Sequence, residues 1–259
     1  MTAWDRLLAD RVTIVTGAAG GIGAACASVA AAHGAHVVVC DLPDRGAPDV
    51  AAALPGQAIA IEADISREDD VARLVAGAVE RWGTVHTLLN VAALTGAALA
   101  DDIDVASMPL ATWDRVLDVN LRGTMLCCRA AVPVMLAGGG GSIVNVSSNA
   151  ALRGSRGLAA YSTSKAAVNQ LTMHLAVAYG KRGIRCNAIM PGIVTGTRSI
   201  DWADDPEQYR AAAERNVATP RLGEPTDVAN LAVFLAADAV AGYVTGQVVS
   251  CDGGYSARL

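Results

Sequence analysis

Val12-Thr-Ile-Val-Thr-Gly17-Ala-Ala-Gly20-Gly21-Ile-Gly23 is a β-branched run that gives way to glycines and then to alanine-rich sequence reaching about His33. The first five residues favour a buried strand, the glycines a tight turn and the alanines a helix. Glycines let the backbone approach an anion closely, and a helix start supplies N–H groups and a positive dipole end. The spacing is Gly-x-x-x-Gly-x-Gly. The loop therefore reads either as a pyrophosphate site built from Gly17, Gly21, Ile22 and Gly23, or as tight packing between strand and helix.

Downstream, the same alternation repeats. A second strand, Ala35 to Cys40, ends in Asp41, roughly twenty residues after the loop, where a carboxylate can accept hydrogen bonds from an adenosine ribose. A 2'-phosphate there would meet like charge. No Arg or Lys lies in the loop or beside Asp41, and Arg45 follows in a stretch read as flexible, so the cofactor expected is NAD over NADP. A strand-end Asp is also a common turn residue. A third strand, Ala58 to Ala63, leads to Asp64-Ile65, and Ser66 reads as the N-cap of a helix to about Trp82 with Asp69 in its first turn. Asp64 faces the adenine or serves the turn. The fourth strand, Thr87 to Val91, carries Asn90 and opens into an acidic, small-residue loop extending to Pro109. A long helix after Thr112, to about Ala137, contains Asn120, a residue type that in mid-helix faces solvent or bonds back to a carbonyl.

Ser142 to Lys165, SIVNVSSNAALRGSRGLAAYSTSK, carries the chemistry. Ile143 to Val146 reads as a buried strand that leaves Ser148 at its carboxyl end. Beyond Gly154 and Gly157, Tyr161 opens a helix to about Lys181, and Lys165 follows at the i, i+4 spacing that shares one helix face. A tyrosine titrates near pH ~10, so acid–base work at neutral pH needs a stabilised phenolate, which a neighbouring ammonium supplies. The Ser148 hydroxyl then holds a substrate oxygen against Tyr161, and the reaction implied interconverts an alcohol and a ketone.

The remainder completes the alternation: a strand from Ile184 to Ile189 ending in Pro191-Gly192, a polar, partly helical lid from Thr195 to Pro220, a helix from Glu224 to Ala237 and a short strand from Gln247 to Ser250. Strands and helices in this order describe a doubly wound parallel sheet. With 53% hydrophobic residues, a net charge of −5 and no Lys/Arg run, the 259-residue chain argues against nucleic acid or an anionic membrane as partner. The start lacks a signal pattern and the apolar runs are short, so a soluble, cytoplasmic protein is expected. The six cysteines include no Cys-x-x-Cys and read as buried thiols, and the four histidines converge on no metal.

From Val12 to Gly254 the chain resembles the short-chain dehydrogenase/reductase family. The matching residues are Thr16-Gly17-x-x-x-Gly21-Ile-Gly23, Asp64, Asn120, Ser148, Tyr161-x-x-x-Lys165, Pro191-Gly192, Arg221-x-Gly-x-Pro225 and Asp252-Gly-Gly254. The resemblance implies a single-domain Rossmann-type α/β fold with helices on both faces of the sheet, a cofactor half to about residue 110 and a catalytic and substrate half from 111. It implies a catalytic tetrad in which Tyr161 exchanges the proton, Ser148 orients the substrate, Lys165 also holds the nicotinamide ribose and Asn120 supports a proton-relaying water. Cofactor contacts implied are Gly17, Gly21, Ile22, Gly23, Asp41, Asp64, Ile65, Asn90, Tyr161, Lys165, Pro191, Gly192, Val194 and a threonine, Thr195 or Thr197. Two departures stand out: Asn90-Val-Ala-Ala93 replaces the family's Asn-Asn-Ala-Gly, and Gly196 occupies the place of a frequent threonine. A homotetramer is implied through the helices around Asn120 and from Tyr161 to Lys181.

The function expected is NAD(H)-dependent interconversion of a secondary alcohol and a ketone, with a 3-oxoacyl thioester reductase acting on carrier protein, or a non-catalytic NAD-binding regulator, as alternatives. Against an acidic carrier stand the uncharged helix end Leu136-Ala-Gly-Gly-Gly-Gly-Ser142 and the lid acids Asp201, Asp204, Asp205 and Glu207. Arg153 and Arg156 weigh the other way. The substrate favoured is a free, largely apolar alcohol or ketone, cyclic or steroid-like, between Ala150-Ala-Leu152, Leu94 and Trp202.

Overall fold

A computed structural model of the chain describes residue 4 and residues 6–155, 157–197 and 205–257. Seven strands form one sheet in the order β3-β2-β1-β4-β5-β6-β7. They are β1 Val12–Thr16, β2 His36–Asp41, β3 Ala58–Glu62, β4 Thr87–Asn90, β5 Gly141–Val146, β6 Ile184–Pro191 and β7 Val248–Cys251. All neighbouring pairs run parallel, and the strand order reverses direction between β1 and β4. That reversal opens a crevice at the carboxyl ends of the strands, the place where open α/β sheets take ligands.

The helices longer than one turn are α1 Gly21–Ala32, α2 Ala47–Ala53, α3 Glu68–Trp82, α4 Leu110–Leu117, α5 Thr124–Ala137, α6 Ala159–Tyr179, α7 Pro206–Asn216 and α8 Pro225–Ala236. Successive strand residues point to opposite faces, so β1 sends Val15 into one core with α1 and α8, and Ile14 into another with α3 and α5. Every residue of β1 is buried, as its unbroken β-branched sequence requires of a strand covered on both faces.

Three sequence expectations change. The helix read as starting from a Ser66 cap begins at Glu68, with Arg67 at the N-cap. Ser66 is turned the other way: its amide (2.9 Å) and hydroxyl (2.7 Å) both donate to the Asp64 carboxylate, a local turn that takes the hydroxyl away from the helix. The long helix around Asn120 is broken by a π-helical turn, Asp118–Gly123, between α4 and α5. The stretch after Arg45 is helical as α2, where alanines follow a Pro in the first turn and Gly46 turns at φ 90°. In the segment read as a partly helical lid, the described residues hold one helix, α7, capped by Asp205, whose carboxylate accepts from the Gln208 amide at 2.9 Å.

All six cysteines are free thiols. Among the described residues no cluster of His, Cys, Asp or Glu could hold a metal ion, and no helix is long and apolar enough to cross a membrane.

Candidate functional site

A cavity of about 1120 Å³ lies along the carboxyl edge of the strands, and the glycine loop, Ser148, Tyr161 and Lys165 all line it. The loop turns at Gly17 (φ 67°) and Gly21 (φ 52°), backbone that other residues rarely adopt. A methyl on Gly23 would lie 2.0 Å from the Gly17 carbonyl oxygen, so the third glycine is required for contact between helix and loop. Gly20, at the N-cap of α1, provides no capping side chain, and the first turn carries no acid. By contrast the first turn of α3 holds Glu68, Asp69 and Asp70. The N–H groups that open α1 thus face the cavity with the positive end of the helix dipole and without a built-in anion.

Asp41 is locked beside this loop: its Oδ2 accepts from the Ala19 amide and its Oδ1 from the Leu42 amide, at 2.9 and 2.8 Å. Asp64 and Ile65 line the cavity further along. Asn90 does not line it. Its amide group is buried behind the wall, donating to Asn145 Oδ1 at 2.9 Å. The departure at Val91-Ala-Ala93 is absorbed by Thr16, whose hydroxyl accepts from the Val91 and Ala92 amides at 3.1 and 3.2 Å. A Cβ on Gly17 would lie 2.7 Å from Ala92 Cα, so this segment packs directly on the glycine loop. At the far end Pro191, Gly192 and Val194 form the wall. Of the two candidate threonines, Thr197 lines the cavity, whereas Thr195 is turned away and donates to the Gly223 carbonyl at 3.2 Å.

The acid–base end is built by β5 and α6. The Ser148 hydroxyl bonds the Tyr161 phenol and accepts from the Ala150 amide at 3.1 Å. Lys165, 3% exposed, donates from Nζ to the Val146 carbonyl at 2.8 Å, and the same residue's carbonyl accepts from Ser147 Oγ at 2.9 Å. Burial pushes the Lys165 ammonium down to about 8. The Tyr161 phenol is raised by burial and pulled back by its bond to Ser148. The expectation that Lys165 lowers it is not met, because Nζ stands 5.8 Å from the ring centroid and is turned to Val146.

Asn120 faces neither solvent nor the cavity. It is fully buried in the π-helical turn, accepting at Oδ1 from the Leu94 amide (2.8 Å) and donating from Nδ2 to Ser164 Oγ (3.2 Å). Ser164 in turn donates to the Tyr161 carbonyl at 2.7 Å. Asn120 thus holds the cavity strap at Leu94 and reaches the Tyr161 backbone through one hydroxyl.

Sequence reasoning missed Asp102. Both of its carboxylate oxygens accept backbone amides at the start of α6, Ala160 at 2.9 Å and Tyr161 at 2.8 Å. Nothing in the spacing of the acidic loop distinguishes it from Asp101 or Asp104. Of the residues expected around the substrate, Leu94 and Ala150 line the cavity, joined by Leu99, Leu158 and Tyr209. Leu152 is 54% exposed and off the cavity, and Arg153 stacks on Tyr255 at 3.9 Å. Arg156, Asp201, Trp202 and Asp204 lie outside the described residues.

A family model described as Enoyl-(Acyl carrier protein) reductase matches residues 17–256. A 2-(R)-hydroxypropyl-CoM dehydrogenase of Xanthobacter autotrophicus is 38% identical, covering 96% of this chain and 99% of its own. The chain belongs to the short-chain dehydrogenase/reductase family. A second relative, the cis-4-hydroxycyclohexanecarboxylate dehydrogenase of Sinomonas cyclohexanicum, is 40% identical over 96% of this chain and 98% of its own. Among solved structures, one described as the crystal structure of gox2181 superposes with a TM-score of 0.90 at 31% identity, covering 99% of this chain and all of that one. Membership of the short-chain dehydrogenase/reductase family makes the chain an oxidoreductase that uses a nicotinamide cofactor. The glycine loop, the acid-free start of α1 and the amide-locked Asp41 are a set of groups that fits such a dinucleotide.

Proposed function

We propose that the protein interconverts a secondary alcohol and a ketone with NAD(H), using Tyr161 as general acid and base. The observation that carries the reading is that Ser148, Tyr161 and Lys165 line the same cavity as the glycine loop. Gly17, Gly21, Ile22 and Gly23 would hold the diphosphate, Asp41 the adenosine ribose, Asp64 and Ile65 the adenine side, and Pro191, Gly192, Val194 and Thr197 the nicotinamide side. When bound, the nicotinamide supplies or accepts the hydride. Ser148 and Tyr161 together grip the substrate oxygen, and Tyr161 takes the hydroxyl proton on oxidation and returns it on reduction. Lys165, with a pKa near 8, can carry charge to a nicotinamide ribose or pass it on as a proton.

The substrate proposed is a free, largely apolar alcohol or ketone. Support comes from the apolar wall of Leu94, Leu99, Ala150 and Leu158, and from a relative named for a hydroxylated cyclohexane ring. The carrier-bound 3-oxoacyl thioester is the second reading, kept by the carrier-protein name of the matching family model. One panel separates them: cyclohexanol, its 4-carboxylate and linear secondary alcohols assayed with NAD, beside acetoacetyl thioesters with NADH. Thioesters turned over far faster than every alcohol would reverse the substrate assignment. Tyr161→Phe tests the mechanism and the non-catalytic alternative together: turnover should vanish while NADH binding persists.

We further infer a cytoplasmic homotetramer, with the cofactor half to about residue 110 and the catalytic half beyond it in one folding unit. An apolar groove of about 790 Å³ between α4–α5 and α6, with Leu117, Leu121, Met125 and Leu171 in its wall, supports pairing of these helices between copies. Sedimentation of a monomer at micromolar concentration would contradict it.

A further inference from the structure

Helix α6 starts badly by its own sequence. Its N-cap is Leu158, a residue without a capping oxygen, held in the left-handed region at φ 64°. For a leucine that backbone is strained, and without a capping oxygen the first turn is left short of an acceptor. The first-turn amides of Ala160 and Tyr161 therefore depend on an outside acceptor.

Asp102 is that acceptor, from 59 positions before Tyr161 in the chain. One carboxylate oxygen takes each amide, at 2.9 and 2.8 Å, and the Asp102 carbonyl accepts from the Leu158 amide at 2.7 Å. The three bonds clamp the left-handed residue together with Ala160 and Tyr161, the second and third residues after it. Asp102 is 3% exposed, so its carboxyl oxygens depend on these amides and on the positive end of the helix in place of water. Such a carboxylate is expensive to bury and leaves little freedom of position.

The same residue ends a strap. Asp102 donates its amide to the Leu99 carbonyl at 2.9 Å, and Leu99, itself 4% exposed, packs with Ala160, Leu158 and Tyr161. At the other end of the strap Asn120 accepts the Leu94 amide at 2.8 Å. Leu94 and Leu99 both line the cavity beside Tyr161. The wall against which a substrate rests and the phenol that must reach its oxygen are thus tied to one carboxylate.

We propose that Asp102 is a positioning residue for Tyr161: by capping α6 from the strap it sets the phenol against the substrate wall. The proposal rests on the reading of Tyr161 as the acid–base group. Displacement of a reacting group by about 1 Å can cost on the order of a hundredfold in rate. Removal of the clamp moves the first turn of α6 without touching the glycine loop, Asp41 or any other group at the adenosine end. Chemistry and cofactor affinity should therefore separate.

The deciding variant is Asp102→Asn, of the same size, whose single oxygen can accept only one of the two amides. With the fastest alcohol of the panel above, kcat per molecule of NADH-binding enzyme should fall by about tenfold or more, while the NADH dissociation constant from fluorescence titration stays within about twofold. Asp102→Ala, which accepts neither amide, should fall further in kcat with the same cofactor affinity. Asp102→Asn with unchanged kcat and a lowered melting temperature would make the residue a structural cap only and overturn the proposal. So would a parallel loss of kcat and NADH affinity. Tyr161→Phe measured alongside keeps the two ideas apart: if that variant stays active, the acid–base reading fails whatever Asp102 does.

Discussion

Lys165 donates its buried ammonium to the main-chain carbonyl of Val146 at 2.8 Å, across the gap between α6 and the end of β5. This bond leaves the charge with one neutral acceptor, and burial pushes the group from 10.5 down to about 8. Since the folded-state value lies below the unfolded one, the native protein binds fewer protons than the unfolded chain between those two values. Stability contributed by this residue therefore rises as pH rises from about 8 to 10.5, and the full penalty of the buried charge is present below about 8. In urea denaturation, wild type should gain about 2 kcal/mol relative to Lys165→Met between roughly pH 7.5 and pH 10. A difference that does not change with pH would mean that the ammonium keeps its proton.

Asp41 bears on cofactor choice because its direction is fixed by two backbone amides, so it cannot swing away from a 2'-phosphate. kcat/KM with NAD should exceed that with NADP by at least ~tenfold, about 1.4 kcal/mol. Arg45 lines the same end of the cavity. Asp41→Ala should narrow the gap chiefly by improving NADP, since it removes the repulsion and leaves Arg45 to meet the phosphate. Equal use of both cofactors by the wild type would contradict the assignment.

How far the sequence could be read depended on the range of the interactions. β1, the glycine loop and α1 follow from residues adjacent in sequence, and the inner strands are legible because buried parallel strands are continuous apolar runs, whereas the edge strands β3 and β7, without a buried residue, are legible as short apolar stretches in the alternation. Tyr161 and Lys165 were legible because a helix converts their spacing directly into a shared face. What escaped depends on distant partners. Asn120 is singled out only by the resemblance, since spacing alone reads it as a solvated or back-bonding helix residue, and its bond to the strap at Leu94 depends on the π-helical turn. Asp102 is one acid among several until α6 is folded against it. Ser66 failed as a cap because Asp64, two residues earlier, competes for its hydroxyl. The lowered phenol expected from Lys165 failed because a carbonyl on a neighbouring strand took the ammonium.

The glycines of the loop should divide by what a methyl would strike. At Gly23 it would lie 2.0 Å from the Gly17 oxygen, backbone against backbone. Gly23→Ala should therefore cost about 1–3 kcal/mol of stability and weaken NADH binding by separating helix from loop. At Gly20, where φ is −169° and a methyl meets nothing within 4 Å, alanine should fold normally. Because Gly20 lines the cavity, Gly20→Ala should still weaken NADH binding at an unchanged melting temperature. Equal thermal stability of the two variants would refute the packing account.

Arg185 closes the back of the fold, far from the chemistry, and offers a clean test of buried polar bonding. Its guanidinium, in a residue 8% exposed, donates to the Leu235 and Ala236 carbonyls at 2.6 and 3.0 Å and to Asp238 at 2.7 Å. Those carbonyls belong to the last turn of α8, where no intrahelical donor remains and the helix dipole is negative. α8 also packs on α1, so its end supports the helix that opens the cofactor loop. Arg185→Met keeps the apolar stem but strands the Ala236 carbonyl and leaves Leu235 only the longer bond from Ser142 Oγ at 3.3 Å, and should destabilise the protein by about 3 kcal/mol, seen as a fall in melting temperature of roughly 6–12 °C. Asp238→Ala removes only a carboxylate that is 56% exposed, and should cost under about 1 kcal/mol. In both variants kcat at 25 °C, a temperature at which the folded state should still dominate, ought to match wild type. If the two substitutions prove equally damaging, the ion pair to Asp238 is what Arg185 contributes, and the carbonyl bonds of α8 are not.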